Sequence, residues 1–260
     1  MADAGEVVHY RVDRAIATVE LDSPDNRNAL SAALVTQLSA HLHAAAADES
    51  VRAIVLTHTG STFCAGADLR ESAAEGGPEA GTRRMLDLLR LIVELPKPVV
   101  ARIAGHVRAG GIGLVGACDI AIAGAQATFA FTEVRLGLAP AIISLTTLGR
   151  MTERAAARYY LTGETFGTAV AEHAGLITKA ADDLDAELAA VTDALRACAP
   201  QGLAHTKPLT TRDTLAAFDA QSEQVQQLSA MLFGSDEARE GMTAFLERRP
   251  PRWAVEAGAT

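Results

Sequence analysis

Gly110-Gly111-Ile112-Gly113-Leu114-Val115-Gly116 is the stretch on which the fold turns. Residues 111–116 have the form GxGxxG, and Glu133 follows 17 positions after Gly116. In a dinucleotide-binding βαβ unit, such glycines open the helix after the first strand, and an acidic residue about 20 positions on binds ribose. The spacing argues against that reading. Six residues, Gly105 to Gly110, separate the apolar strand pattern at 99–104 from Gly111. The helix that could follow is about seven residues long, shorter than the ten or so that a parallel crossover needs. Two readings remain: a small-residue helix packed tightly on a sheet, or a helix start that offers backbone N–H groups to a ligand.

A second segment favours the latter. In Phe63-Cys64-Ala65-Gly66-Ala67-Asp68-Leu69, small residues follow a strand pattern and lead toward a helix. Gly110 occupies the equivalent place after the next strand. Two such N-termini can direct two N–H donors at one carbonyl oxygen, where helix dipoles favour developing negative charge. A thioester carbonyl polarised in this way becomes acidic at its α-carbon and electrophilic at the β-carbon of its enoyl form.

Outward from these segments, residues 7–12 and 15–21 alternate apolar with polar side chains around Asp13-Arg14, the pattern of a β-hairpin. Residues 31–47 have helical spacing with Ser31 as N-cap. Short apolar runs at 53–57, 99–104, 119–123 and 128–131 read as strands, and 83–95 reads as a helix. The stretch 71–81 carries glycines and a proline with few large apolar residues, which predicts mobility. From about residue 155 the pattern reads as wholly helical, with a boundary at 200–208 and two or three helices beyond. The expected organisation is an α/β core over 1–200 with a helical region over 201–260.

The 260 residues, 49% hydrophobic and 21% charged, suit a globular chain. Apolar stretches break before the roughly 20 residues of a membrane span, and no signal sequence is evident at the start. Cys64, Cys118 and Cys198 are an odd, scattered set, which suggests a reducing cytoplasm and neither a disulfide framework nor a zinc site. The net charge of −9 disfavours nucleic acid as a partner. His41 and His43, two positions apart on a helix, do not point together at a metal. Loop residue His106 is placed either to touch substrate or simply in solvent.

Taken in order, Asn26-Arg27-Asn28-Ala29-Leu30, residues 65–69, residues 105–119, Phe131-Thr132-Glu133-Val134-Arg135-Leu136-Gly137-Leu138, Leu161-Thr162-Gly163 and residues 240–248 resemble the crotonase (enoyl-CoA hydratase/isomerase) superfamily over essentially the whole chain. The resemblance implies a spiral of ββα units with a C-terminal trimerisation region, assembled as a homotrimer or a homohexamer. It implies an acyl-CoA substrate and no separate cofactor or metal. Ala67 and Gly110 fall on the oxyanion-hole positions, and Glu133 on a catalytic acid/base. Arg27, Ala65, Gly66, Asp68 and Leu69 are implied in substrate binding. Phe245 and Arg248 fall where the family places an aromatic and a basic residue beside the CoA nucleotide, often across a subunit boundary.

One position departs from the family pattern. Ordinary hydratases of the family hold a water between two glutamates, and the second position here is Gly113. A single Glu133 suits a proton shuttle that moves a double bond. Residues 110–119 and 133–144 also resemble the methylglutaconyl-CoA and isohexenylglutaconyl-CoA hydratase branch, which implies that hydration need not require the second glutamate. The substrates of that branch carry a distal carboxylate, for which Arg108 or Arg135 is a candidate partner. Asp68 is expected to cap the helix after it, and Cys64 to be a small core residue.

Overall fold

The computed structural model describes residues 5–72 and 78–255. The chain opens with β1 (Val8–Asp13) and β2 (Ile16–Leu21), an antiparallel hairpin pairing Val8 with Leu21 and Asp13 with Ile16. Its turn uses Arg14 and Ala15, both with positive φ. Helix α1 (Ala32–Ala47) follows, and the Ser31 hydroxyl accepts the Leu34 N–H at 3.2 Å, the N-cap that the sequence predicts.

The next segments repeat one pattern. Strands β3 (Ala53–His58) and β4 (Thr62–Cys64) lead through the short α2 (Leu69–Ser72) to α3 (Pro78–Glu94). Strands β5 (Val99–Ile103) and β6 (His106–Arg108) lead to α4 (Gly110–Ala117). Strands β7 (Ile120–Gly124) and β8 (Thr128–Ala130) lead through a 3-10 turn, Thr132–Leu136, to α5 (Ala141–Thr147) and α6 (Glu153–Thr162). The chain finishes with β9 (Phe166–Gly167), α7 (Thr168–His173), β10 (Lys179–Ala181), α8 (Leu184–Arg196), α9 (Pro200–Phe233) and α10 (Asp236–Leu246).

In each repeat the first strand joins a six-stranded sheet, ordered β1-β2-β3-β5-β7-β10, and the second joins a four-stranded sheet, ordered β4-β6-β8-β9. This is the expected spiral of ββα units. The residues after β4, β6 and β8 therefore lie together, because those strands are parallel neighbours. The core between sheets and helices is built from Leu34, Leu38, Leu56, Phe63, Leu89, Phe129 and Phe131, all fully or almost fully buried.

Several sequence expectations change. The stretch 71–81 is helical at both ends, since α3 begins at Pro78 and not at 83, with proline at its first position; residues 73–77 of the stretch expected to be mobile lie outside the described residues. Strand β6 is not among the strands expected from the sequence. Beyond residue 155 the chain is not wholly helical, since β9 and β10 extend the two sheets. Three-residue or shorter strands carry too few side chains for an alternating pattern. Residues 200–208 are the first turns of α9, which continues through Pro208.

Helix α9 is tied to the core by Lys207. Its side chain is 3% exposed, and its ammonium lies 2.9 Å from Asp119 Oδ2 and donates to the carbonyls of Ile92 and Lys97. Asp119 also accepts the Val99 N–H at 2.8 Å. A buried pair of this kind is costly to break because the remaining charge has no partner. Lys207→Met is expected to lower unfolding free energy by about 3 kcal/mol or more, and Lys207→Met/Asp119→Asn to recover part of the loss. Urea unfolding of the three proteins, with the slope m compared across them, checks this.

A candidate acyl-thioester site between two backbone turns and one buried glutamate

The loop before α1 prepares the first arm of the site. Asn28 is fully buried; its side chain accepts the Ser23 N–H at 2.7 Å and donates to the carbonyls of Thr59 and Thr62. The Arg27 carbonyl accepts the Ala65 N–H, and the Leu30 N–H donates to the Gly66 carbonyl at 2.8 Å. Leu30 and Ala67 form a parallel bridge. The side chain of Arg27 itself is exposed. Asp68 accepts the N–H groups of Arg70 and Glu71, so it caps α2, and Leu69 is the first residue of that helix. Cys64 is completely buried and its thiol is pushed up to about 12 by burial, which leaves it un-ionised and inert.

The second arm enters from β6. Ala109 has φ +46° and ψ −121°, a conformation that L-residues rarely adopt and that costs about 1–3 kcal/mol. It is held by the Ala109 N–H on the Ala130 carbonyl (3.1 Å) and by the Ile112 N–H on the Ala109 carbonyl (2.8 Å). The two arms touch. A Cβ on Gly66, which has φ +90°, would lie 3.0 Å from the Gly110 nitrogen and 2.9 Å from the Ala109 methyl. Only glycine satisfies both the angle and the approach. Among the described residues nothing accepts the N–H of Ala67 or of Gly110. Both are thus available on adjoining backbones, walled by Leu30 and Met85, whose terminal carbons lie 3.3 and 2.6 Å from where a Gly110 Cβ would be.

Glu133 comes from the 3-10 turn after β8. It is 8% exposed, burial pushes its carboxyl up to about 7, and a bond to its own backbone N–H partly opposes that. Its Oε2 has no hydrogen-bond partner among the described residues. A buried carboxyl with a free oxygen and a pKa near neutrality is equipped to exchange a proton. Arg135 does not pair with it, because its Nε donates to the Thr162 carbonyl. The turn is braced from two sides. The Phe131 ring lies 4.4 Å from that of Tyr160, whose hydroxyl is 2.5 Å from Thr147 Oγ1. From the other side α10 packs directly on the turn: a Cβ on Gly241 would fall 2.4 Å from the Leu136 carbonyl oxygen, and one on Gly137 would fall 2.7 Å from the Glu237 backbone.

Gly113 is enclosed. A Cβ there would meet Ile143 Cγ2 at 2.5 Å and Leu89 Cδ1 at 3.2 Å, so the volume of a side chain at this position is taken by α5 and α3. Arg108 is half-buried, and its guanidinium is turned to Thr128 and to the Val107 carbonyl. Phe245 and Arg248 are exposed in the single protomer, at and beyond the end of α10; the acidic partners nearby, Glu240 and Glu247, bind Arg249. Two cavities, about 410 Å³ over the outer face of the large sheet and about 950 Å³ between α3 and α9, are lined by none of Ala67, Gly110 and Glu133. Among the described residues no group of His, Cys, Asp and Glu is arranged to hold a metal, and no helix is long and apolar enough to cross a membrane.

Sequence reading missed the aromatic and hydroxyl brace of Tyr160 and Thr147 and the seat of α10 on the Glu133 turn. The adjacent Tyr159-Tyr160 and the paired Gly137 and Gly241 are signals only once the contacts are known.

The spiral of ββα units, with two free backbone N–H groups and a buried carboxyl among its connections, is a fold of the crotonase class. The Enoyl-CoA hydratase/isomerase family matches residues 11–256, and the chain belongs to that family. An enoyl-CoA hydratase from Mycobacterium avium is 54% identical, with a TM-score of 0.89 over 95% of this chain and 99% of that one. A carnitinyl-CoA hydratase from the same organism is 28% identical, with a TM-score of 0.83 over 95% and 98%. The 2,3-dehydroadipyl-CoA hydratase of Escherichia coli K12 is 30% identical over 249 residues, 95% of this chain and 97% of the relative.

Burial of Glu133 has a consequence for stability. Its folded-state pKa, about 7, lies above the ordinary 4.5, so the fold favours the protonated form. That contribution is complete below about pH 4.5 and is lost as pH rises through 7. Glu133→Gln is expected to match the parent near pH 5 and to exceed it by roughly 2–3 kcal/mol at pH 8. Thermal unfolding across that range tests it, with a pH-independent difference contradicting the assignment. Gly113→Ala is expected to cost about 1–3 kcal/mol, and Gly113→Ala/Ile143→Ala less than the sum of the single changes.

Proposed function

We propose that the chain hydrates a 2-enoyl-CoA thioester with Glu133 as its only carboxyl acid/base, and that the Ala67 and Gly110 N–H groups form the oxyanion hole. The observation that carries this reading is the buried Glu133, its Oε2 unpartnered and its pKa near 7. In the reaction the thioester oxygen accepts both N–H bonds. Ionised Glu133 removes a proton from water as the water oxygen bonds to the β-carbon, and the electron pair of the double bond moves into an enolate. Protonated Glu133 then returns that proton to the α-carbon. The N–H pair acts on charge that exists only as the enolate forms, which is where stabilisation raises rate. The hydratases among the relatives support the reading.

The acyl group in this proposal is branched or glutaconyl-type. The active form is a homotrimer or a dimer of trimers, with the exposed Phe245 and Arg248 serving CoA, and with Arg27, Ala65, Asp68 and Leu69 lining the approach.

Gly113 favours a second reading, double-bond migration. Ile143 and Leu89 occupy the space a second carboxylate requires. Without that group, ionised Glu133 can take an α-proton from a 3-enoyl-CoA and return it to the γ-carbon of the dienolate. Mass-resolved turnover of crotonyl-CoA, 3-methylglutaconyl-CoA and a 3-enoyl-CoA separates the two. Gain of one water supports hydration, and rearrangement at constant mass supports migration. Glu133→Gln is expected to lower kcat by about 10²–10⁴-fold in either case. In the parent, kcat/KM is expected to rise with pH up to about 7 and then level, as the carboxylate form accumulates. CoA-ester binding with no turnover of any kind removes the catalytic role of Glu133.

A further inference from the structure

Each of the two free N–H groups belongs to a peptide unit whose carbonyl is anchored. The Gly66 carbonyl accepts the Leu30 N–H at 2.8 Å, and the Ala109 carbonyl accepts the Ile112 N–H at 2.8 Å. A trans peptide unit is planar, so its N–H points opposite to its carbonyl. The direction of the Ala67 N–H is therefore set by the 66–67 unit, and that of the Gly110 N–H by the 109–110 unit.

The two units differ in what restrains their planes. Gly66 adopts its φ of +90° without steric opposition, as glycine does. Ala109 holds φ +46° and ψ −121° against such opposition, and a glycine there would remove it. The Ala109 methyl is not explained by the core, since the residue is half-buried and belongs to neither hydrophobic cluster. It is turned instead onto the first arm, 2.9 Å from where a Gly66 Cβ would be, with the Gly110 nitrogen at 3.0 Å and the Arg108 carbonyl oxygen at 3.2 Å from the same point. On the other side of the 109–110 unit stand Gly110 and Gly111, which restrict the backbone least. Ala109 thus supplies the one Cβ in the run 109–111. With glycine in its place, the 109–110 unit would be flanked by glycine on both sides and could roll about its neighbouring bonds.

We infer that Ala109 is a positioning residue: its methyl, turned onto Gly66 by a disfavoured backbone conformation, stops the 109–110 peptide from rolling and so aims the Gly110 N–H at the substrate carbonyl oxygen. This rests on the oxyanion reading above and adds to it the residue that gives one donor its direction. The strain at Ala109 then belongs to the site's function, and removing it makes the fold more stable and the donor pair less effective.

The test compares the parent with Ala109→Gly and Ala109→Ser by thermal unfolding, by turnover, and by the absorption of bound 4-dimethylaminocinnamoyl-CoA. That conjugated thioester absorbs at longer wavelength when its carbonyl oxygen accepts hydrogen bonds, so it reads the donor pair without any reaction. Ala109→Gly is expected to unfold about 2–6 °C higher than the parent, after the looser unfolded chain is allowed for. The same variant is expected to lose about half or more of the parent's red shift and to lower kcat by about tenfold, with KM within about twofold. A structural role alone would not move stability and polarisation in opposite directions. Ala109→Ser keeps the Cβ and is expected to recover most of the red shift. The inference is overturned if Ala109→Gly unfolds lower than the parent, if it unfolds higher with red shift and kcat intact, or if a folded Ala109→Ser loses as much of the shift as the glycine variant. In each of those cases a red shift in the parent leaves the oxyanion reading standing. No red shift in the parent removes that reading and this inference together. A shift that depends on Ala109 in a protein that hydrates no enoyl-CoA supports the inference and removes the hydratase reading alone.

Discussion

The approach of Gly66 to Gly110 is the contact around which the site is organised. Two chain reversals from successive repeats meet there, with the Ala109 methyl and the Gly110 nitrogen against Gly66, so Gly66 has no room for a side chain. Everything that fixes their separation lies outside the contact. The parallel pairing of β4 with β6 brings the reversals side by side, and Asn28 ties the first to the loop before α1. Bonds from β8 and α4 hold Ala109 in a strained conformation. In the proposed reaction a donor pair made of backbone alone inherits its precision from the sheet, which gives a residue without a functional side chain, such as Ala67, a part in the chemistry.

Glu133 represents the opposite arrangement, a side chain whose environment opposes its charge. The fold carries a carboxyl whose ionisation is disfavoured by burial and whose Oε2 is unsatisfied. Such groups cluster where proton transfer is needed, and the stability they remove is offset elsewhere. Here the offset includes the core of Phe129, Phe131 and Phe166 stacked beneath the turn and the helix seated on it.

The opening hairpin, the first helix and its cap, and the two reversals were legible in sequence because each leaves a local signature: alternation, an N-cap serine, and glycines after a strand. Glu133 and the oxyanion positions were legible through family resemblance and could not have been assigned from spacing alone. Strands β6, β9 and β10 were not legible, since two or three residues do not establish a period. The enclosure of Gly113 by Ile143 was hidden because the residues are 30 positions apart and their meeting depends on how α5 crosses α4. The hydrogen bonds that hold Arg108 had no sequence signal either: Thr128 belongs to the next repeat. Lys207 looked like part of a boundary, and only its burial against Asp119 reveals it as a fastening.

The seating of α10 on the Glu133 turn also sets an order in time. Gly241 contacts Leu136 across 105 residues of sequence. Synthesis at about 5–20 residues per second separates the two by roughly 5–20 s. At its start a nascent chain has both backbone arms but lacks β9, β10 and the helix that backs Glu133. The brace on the Glu133 turn is therefore completed among the last contacts of the growing polypeptide.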